Sequence, residues 1–220
     1  MHSSDRLWPD PPLPAEEHPA EGVTLLRAFC RDQADELYDA ITTVQAAAPF
    51  RQMVVPGGHT MSVAMTNTGL LGWTTDRTGY RYAATDPVTK HPWPAMPAPL
   101  LSLAQRAAEA GGFPGFTPNS CLINRYSIGA RLSLHQDKDE RDYAHPIVSV
   151  SLGLPATFLL GTLHRSETPR RIRIEHGDVL VWGGPARLIF HGVAPIPAGS
   201  HPLTGSFRIN LTFRHAAVSG

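Results

Sequence analysis

Three residues of the 220-residue chain have types and spacing that suit a metal ion. His135-Gln136-Asp137 sets an imidazole and a carboxylate two positions apart, which on a strand turns both the same way. His191 follows 54 positions after Asp137, at the end of the apolar run Arg187-Leu188-Ile189-Phe190, which reads as a strand. Two histidines and one carboxylate can occupy one face of an octahedral Fe(II) and leave three positions open. The pair alone carries little weight. The charged run from Asp137 to Asp142 reads as an exposed loop, with Glu140 a solvated neighbour, and His191 alone reads equally well as a core histidine.

A second feature sharpens the first. From Phe207 to Arg214 apolar and polar residues alternate, so Arg208, Asn210, Thr212 and Arg214 share one face of a strand. Taken by itself, such a strand is half-buried with its polar face in water. Two guanidinium forks flanking an amide and a hydroxyl also make a clamp for a small dicarboxylate. A metal triad followed 17 to 23 positions later by that clamp is more specific than either part.

The elements that must carry these residues read as an α+β chain. Val23 onward forms a short strand, and Asp32 is placed to cap a helix with Leu37, Ile41 and Val44 on one face, ended by Pro49. Residues 50–97 are rich in Gly, Pro, Thr and aromatics and read as hairpins and loops forming a lid rather than packed core. A second helix runs from about Pro99 to Ala110 and stops at Gly111. From about Asn119 to Arg214 short strands separated by Gly, Pro or Asp give the pattern of a β-sandwich or barrel. Residues 1–22, with five prolines in the first twenty, read as a strap ahead of one domain spanning 23–220.

Composition narrows the function classes. The 19 basic and 19 acidic side chains cancel, which argues against a generic polyanion binder. Arginine dominates the basic set, Lys90 and Lys138 being the sole lysines, and it clusters at Arg77, Arg81 and from Arg165 to Arg173. The exposed face of a strand accounts for Arg170, Arg171 and Arg173. Two cysteines, Cys30 and Cys121, make no disulfide framework or zinc site and read as reduced thiols. No apolar run of about 18 residues and no signal-like start are present, so the expectation is a soluble, cytoplasmic protein without a membrane partner. Neither G-x-S-x-G nor G-x-x-x-x-G-K-[ST] occurs, which excludes the commonest serine-hydrolase and phosphate-loop designs.

The runs NRYSIGARLSLHQDKDE, IVSVSLGLPATF, EHGDVLVWGG, RLIFHGV and RINLTFR resemble the AlkB family of Fe(II)- and 2-oxoglutarate-dependent dioxygenases. PFRQMVVPGGHTMSVAMTN, GWTT and WPAMP extend the resemblance to its bacterial alkylation-repair members, over about Val23 to Arg214. The fold it implies is a double-stranded β-helix, a jelly roll, with N-terminal helices and a nucleotide-recognition lid. It implies that His135, Asp137 and His191 bind iron. Arg208 and Arg214 would hold the two ends of 2-oxoglutarate in an order left open, with Asn124, Tyr126, Asn210 and Thr212 beside them. Without the resemblance, Asn124 and Tyr126 read as strand residues satisfying their own sheet.

The activity implied is oxidative demethylation of nucleobases such as 1-methyladenine and 3-methylcytosine, which carry positive charge, in single-stranded or locally opened DNA, with RNA left open. Such a base calls for aromatic faces and a carboxylate. The resemblance gives the sandwich to Trp73 and His135 and the exocyclic amine to Asp139. Leu132, Ile147 and Ser149 would line the pocket. Arg165 would face the substrate, with Tyr80, Arg81 and Tyr82 nearby; from sequence alone Trp73 reads equally as core. His59 in the lid and Ile189 before His191 depart from the usual aromatics and leave lesion preference open. An oxygenase acting on a protein side chain or small molecule is the alternative. A monomer with no obligate protein partner is expected.

Overall fold

The computed structural model of the chain describes residues 15–216. In chain order the strands are β1 (Glu16–Ala20), β2 (Val23–Leu26), β3 (Arg51–Val54), β4 (Thr60–Gly69), β5 (Gly72–Asp76), β6 (Gly79–Ala83) and β7 (Ser120–Tyr126). They continue with β8 (Leu132–His135), β9 (Ile147–Gly153), β10 (Ala156–Leu160), β11 (Arg170–Ile174), β12 (Val179–Trp182), β13 (His191–Val193) and β14 (Arg208–Arg214). Helices α1 (Ala34–Ala47) and α2 (Ala98–Ala110) lie between β2 and β3 and between β6 and β7. Eight strands pair in the order β1-β2-β12-β9-β14-β7-β4-β3, four more in the order β11-β10-β13-β8, and β5-β6 stand as a separate hairpin. Every pairing is antiparallel, and the two larger sheets form a jelly roll.

The period-two pattern of β14 builds the layers. Ile209, Leu211 and Phe213 turn outward into a core shared with Leu37 and Ile41 of α1 and Leu100 and Leu103 of α2. Fully burying side chains of this size stabilises the fold by about 1.5–3 kcal/mol each. A second core fills the space between the sheets, where Leu122, Leu180 and Trp182 of the large sheet meet Phe158, Leu160 and Val193 of the small one. The even-numbered residues of β14 face this inner space.

Leu37, Ile41 and Val44 are buried as expected, but α1 does not begin at an Asp32 cap. Asp32 lies in a 3-10 turn over Arg31–Gln33, and Gln33 occupies the capping position without a side-chain bond. The tight turn explains the difference, because its own backbone bond from Gln33 N–H to the Cys30 carbonyl does part of a cap's work. At the far end of α2, Gly111 permits close packing on β12: a Cβ there would lie 2.8 Å from Val181.

Three further expectations change. Residues 50–97 are not all loop and hairpin: β4 is hydrogen-bonded between β3 and β7 in the large sheet, with Val63, Met65, Thr66, Asn67 and Thr68 buried. Threonine-rich alternation belongs to a strand here, where β-branched residues fit the pleat. The segment before His191 is not a strand, since Arg187 N–H and Ile189 N–H close turn-like bonds to Gly184 and Ala186, and β13 begins at His191. Finally, residues 16–20 of the expected strap form β1, paired with β2 at the edge of the sheet, while residues 1–14 lie outside the described residues. No helix among the described residues is long and apolar enough to cross a membrane.

Candidate active site

Strands β8 and β13 pair so that His135 and His191 are direct partners, their ring centroids 4.4 Å apart. Gly192 allows this approach, because a Cβ at that position would lie 2.7 Å from the Leu132 carbonyl oxygen. Asp137 is not on the strand with His135, as expected from spacing, but two residues beyond its end. Its Oδ1 lies 3.6 Å from His135 Nε2 and its Oδ2 3.8 Å from His191 Nε2. Each imidazole directs its Nδ1 to the carbonyl two residues earlier, His135 to Ser133 at 2.9 Å and His191 to Ile189 at 3.1 Å. With Nδ1–H donating, both Nε2 lone pairs point at the carboxylate, the arrangement a metal needs.

The charges around the triad hold Asp137 and His191 in their ligating forms, while at His135 burial is outweighed by the Asp137 carboxylate, which raises the imidazole. Burial, with His135 adding to it, pushes the His191 imidazole down to about 4, so the ring stays neutral. Burial alone would raise Asp137, but the Arg214 guanidinium holds its carboxyl well below the usual carboxylate range. Arg214 donates to Asp137 Oδ2 from Nη2 at 2.6 Å and from Nε at 2.9 Å. Behind it lies Glu140, which is buried rather than solvated. Glu140 faces Arg187 at 3.2 Å and Arg214 at 3.4 Å and accepts the Tyr82 hydroxyl at 2.6 Å. Arg187 also donates to the Asp137 carbonyl at 2.8 Å, fixing the main chain of the ligand loop.

The even face of β14 is buried, not solvated as that strand taken alone would suggest. Asn210 donates to Ser149 Oγ at 2.8 Å and to the Val150 carbonyl at 3.0 Å, and its Oδ1 accepts from Thr212 Oγ1 at 3.0 Å and Asn124 Nδ2 at 3.3 Å. Arg208 donates to Ser151 Oγ at 3.1 Å, with its guanidinium carbon 5.0 Å from the Tyr126 ring centroid. Its Nε and Nη1, together with Arg214 Nη1 and Asn124 Oδ1, are buried with no hydrogen-bond partner among the described residues. A buried cation with orphaned donors is costly unless an anion meets it. A dicarboxylate spanning Arg208 and Arg214 fits that set, and the His-Asp-His donors fit Fe(II).

These groups open into one cavity of about 980 Å³. It is lined by His135, His191, Asn124, Tyr126, Ser149, Arg208, Asn210, Thr212 and Arg214, and toward solvent by the half-buried Trp73, Leu132 and Asp139 and the exposed Tyr80 and Arg165. Trp73 stacks on Tyr80 with centroids 5.7 Å apart and donates its indole N–H to Asp139 Oδ2 at 2.9 Å. Three sequence candidates lie elsewhere. Arg81 is exposed on the hairpin and bound to Asp76; Tyr82 points away from the cavity to Glu140. Ile147 shares the face of Ser149 but sits one step further along, opposite Trp182 and fully buried. His59 lines the cavity, whereas Ile189 is buried and contributes its carbonyl to His191. Sequence reasoning missed Trp182, whose ring lies 5.0 Å from His191, and Phe158, stacked on that imidazole at 5.9 Å. It also missed Arg187, for which an arginine at the head of an apolar run was the available signal.

A jelly roll holding a His-Asp-His triad beside a buried arginine clamp defines an Fe(II) oxygenase that uses 2-oxoglutarate. Residues 22–214 match the 2OG-Fe(II) oxygenase superfamily. The chain is 58% identical over 204 residues to alpha-ketoglutarate-dependent dioxygenase AlkB of Salmonella typhimurium, covering 93% of this chain and 94% of that protein. It is 58% identical over 203 residues to the Escherichia coli protein of the same name, covering 92% and 94%. The solved structure of OsALKBH1 superposes with a TM-score of 0.79 at 30% identity, covering 90% of this chain and 99% of that one. The chain belongs to the AlkB family of Fe(II)- and 2-oxoglutarate-dependent dioxygenases.

Proposed function

We propose that this chain demethylates N-methylated nucleobases of the 1-methyladenine and 3-methylcytosine type in DNA, as a direct-reversal repair enzyme. The observation that carries the reading is the mouth of the cavity: an aromatic stack of Trp73 and Tyr80 with the Asp139 carboxylate, above His135. A flat cationic base is met there by π-faces and a negative charge. The 980 Å³ cavity is also larger than a five-carbon diacid needs, which leaves room for a flipped base.

His135, Asp137 and His191 would hold Fe(II), which with 2-oxoglutarate and O₂ supplies the oxidising power that hydroxylates the N-methyl carbon while succinate and CO₂ form. The resulting hydroxymethyl group leaves as formaldehyde. Arg214, already against Asp137, takes the carboxylate nearer the metal, and Arg208 takes the distal one with Asn124 and Tyr126 beside it. Trp73 and the His135 ring hold the base between them. Asp139 keeps one oxygen on the indole and offers the other to the exocyclic amine. Leu132 and Ser149 bound the pocket, Trp182 and Phe158 keep water from His191, and Arg165 meets the nucleotide backbone. Two unpaired buried thiols suit a reducing cytoplasm.

Fe(II), 2-oxoglutarate and O₂ should suffice for formaldehyde release from a 1-methyladenine oligonucleotide. No release from any methylated DNA or RNA by iron-loaded protein would refute the reading. A panel of methyl and etheno lesions in matched single and double strands then ranks the substrates.

A further inference from the structure

Asp142, His145 and His215 gather on the surface beside the loop that follows Asp137, outside the cavity. Asp142 Oδ2 lies 3.6 Å from His145 Nε2, and the His145 and His215 rings have centroids 4.3 Å apart. One ligating atom from each of the three falls within 4.8 Å of the others, a limit that the active-site triad also meets.

Two of the three donors, His215 and Asp142, are held by bonds that leave a lone pair free. His215 Nδ1 meets the Thr117 carbonyl at 2.9 Å, which as a donor there leaves Nε2 the ligating nitrogen. Asp142 Oδ1 accepts the Ala144 N–H at 3.0 Å, leaving Oδ2 toward His145. The His145 carbonyl accepts from Arg187 Nε at 3.0 Å, which anchors the loop to the buried charge network. The Asp142 and His145 side chains are 37% and 34% exposed, so a cation reaches them from solvent. The other close histidine pair, His176 and His201, is not joined by a carboxylate in such a group among the described residues.

We propose that Asp142, His145 and His215 form a second metal site, for a zinc-class divalent cation, distinct from the iron centre. Two imidazoles and one carboxylate suit Zn²⁺ rather than Mg²⁺ or Ca²⁺, which take all-oxygen sets. Three protein ligands leave the fourth tetrahedral position to water. His215 directly follows β14, and Asp142 and His145 belong to the loop after Asp137, so the cation ties the end of the clamp strand to the ligand loop. An ion that binds the folded chain and not the unfolded one raises the melting temperature.

The test is a count of zinc ions on the untagged, iron-free full chain by native mass spectrometry, with a thermal melt alongside. The expected count is two per wild-type chain and one for His215→Gln, which loses part of the zinc-dependent rise in Tm while keeping iron- and 2-oxoglutarate-dependent turnover. The cysteines do not confuse the count, because both are buried and burial pushes the Cys30 thiol up to about 12. Asp142→Asn gives the same reading should His215→Gln fold poorly. One ion on the wild type, or two retained on the variants, would overturn the proposal.

Discussion

Replacing Arg208 by methionine should separate two consequences of one buried charge. The guanidinium is 1% exposed, its Nε and Nη1 lack partners, and burial lowers its affinity for its own proton. If those two donors meet the distal carboxylate of 2-oxoglutarate, two charge-assisted bonds of about 1.5–3 kcal/mol each are lost in Arg208→Met. At about 1.4 kcal/mol per decade, the summed loss corresponds to a rise in KM for 2-oxoglutarate of about 100- to 10,000-fold. Arg208→Lys keeps the charge but not the fork and should lie between wild type and methionine. Stability should move the other way. Without co-substrate, exchanging an unpaired buried cation for an apolar side chain is neutral or stabilising by about 1–4 kcal/mol. The assay is succinate production against 2-oxoglutarate concentration, paired with thermal melts with and without the diacid. An unchanged KM, or a variant still stabilised by 2-oxoglutarate as wild type is, would refute the assignment.

Trp73→Ala should raise KM for a methylated oligonucleotide by about 5- to 150-fold, the equivalent of the 1–3 kcal/mol per stacked base, and leave KM for 2-oxoglutarate unmoved in steady-state assays. Glu140→Ala strips Arg187 of its carboxylate partner and leaves Arg214 with Asp137 alone, so urea unfolding should show a loss of about 3–5 kcal/mol; a surface-like effect near zero would contradict its burial. His176 is held below the ordinary imidazole range by burial first, then by His201 and Arg31, although Asp35 and Asp178 oppose this. Its Nδ1 accepts the Gly153 N–H, so the folded form is neutral and the unfolded chain takes up the extra proton. Its contribution is complete above about pH 6.5 and is lost as pH falls, so the urea midpoint should drop on acidification and His176→Gln should flatten that dependence.

The polar face of β14 was legible because a strand's period of two is written in consecutive residues, and the helix faces of Leu37, Ile41 and Val44 for the matching reason. The ligand types at 135, 137 and 191 were legible as chemistry, though which of them sits on a strand was not. What stayed hidden depends on partners far along the chain. Glu140 read as solvated because the groups that bury it, Tyr82 and Arg187, lie 58 and 47 positions away. Ile147 has the right parity for the pocket, yet it lies one step further along the strand, fully buried beside its cross-strand partner Trp182. Composition misplaced β4 because threonine and glycine suggest loops when the strand they pair with is not in view.

Trp182 also gives the molecule an optical property. The chain has four tryptophans, and this one is 1% exposed with its ring 5.0 Å from the His191 imidazole, while Trp73 stands at the cavity mouth. Indole emission is sensitive to a nearby metal centre at the first position and to a stacked base at the second. The enzyme therefore carries two built-in fluorophores lining its active site, and in Trp73→Phe the quenching on iron loading can be followed without any added label.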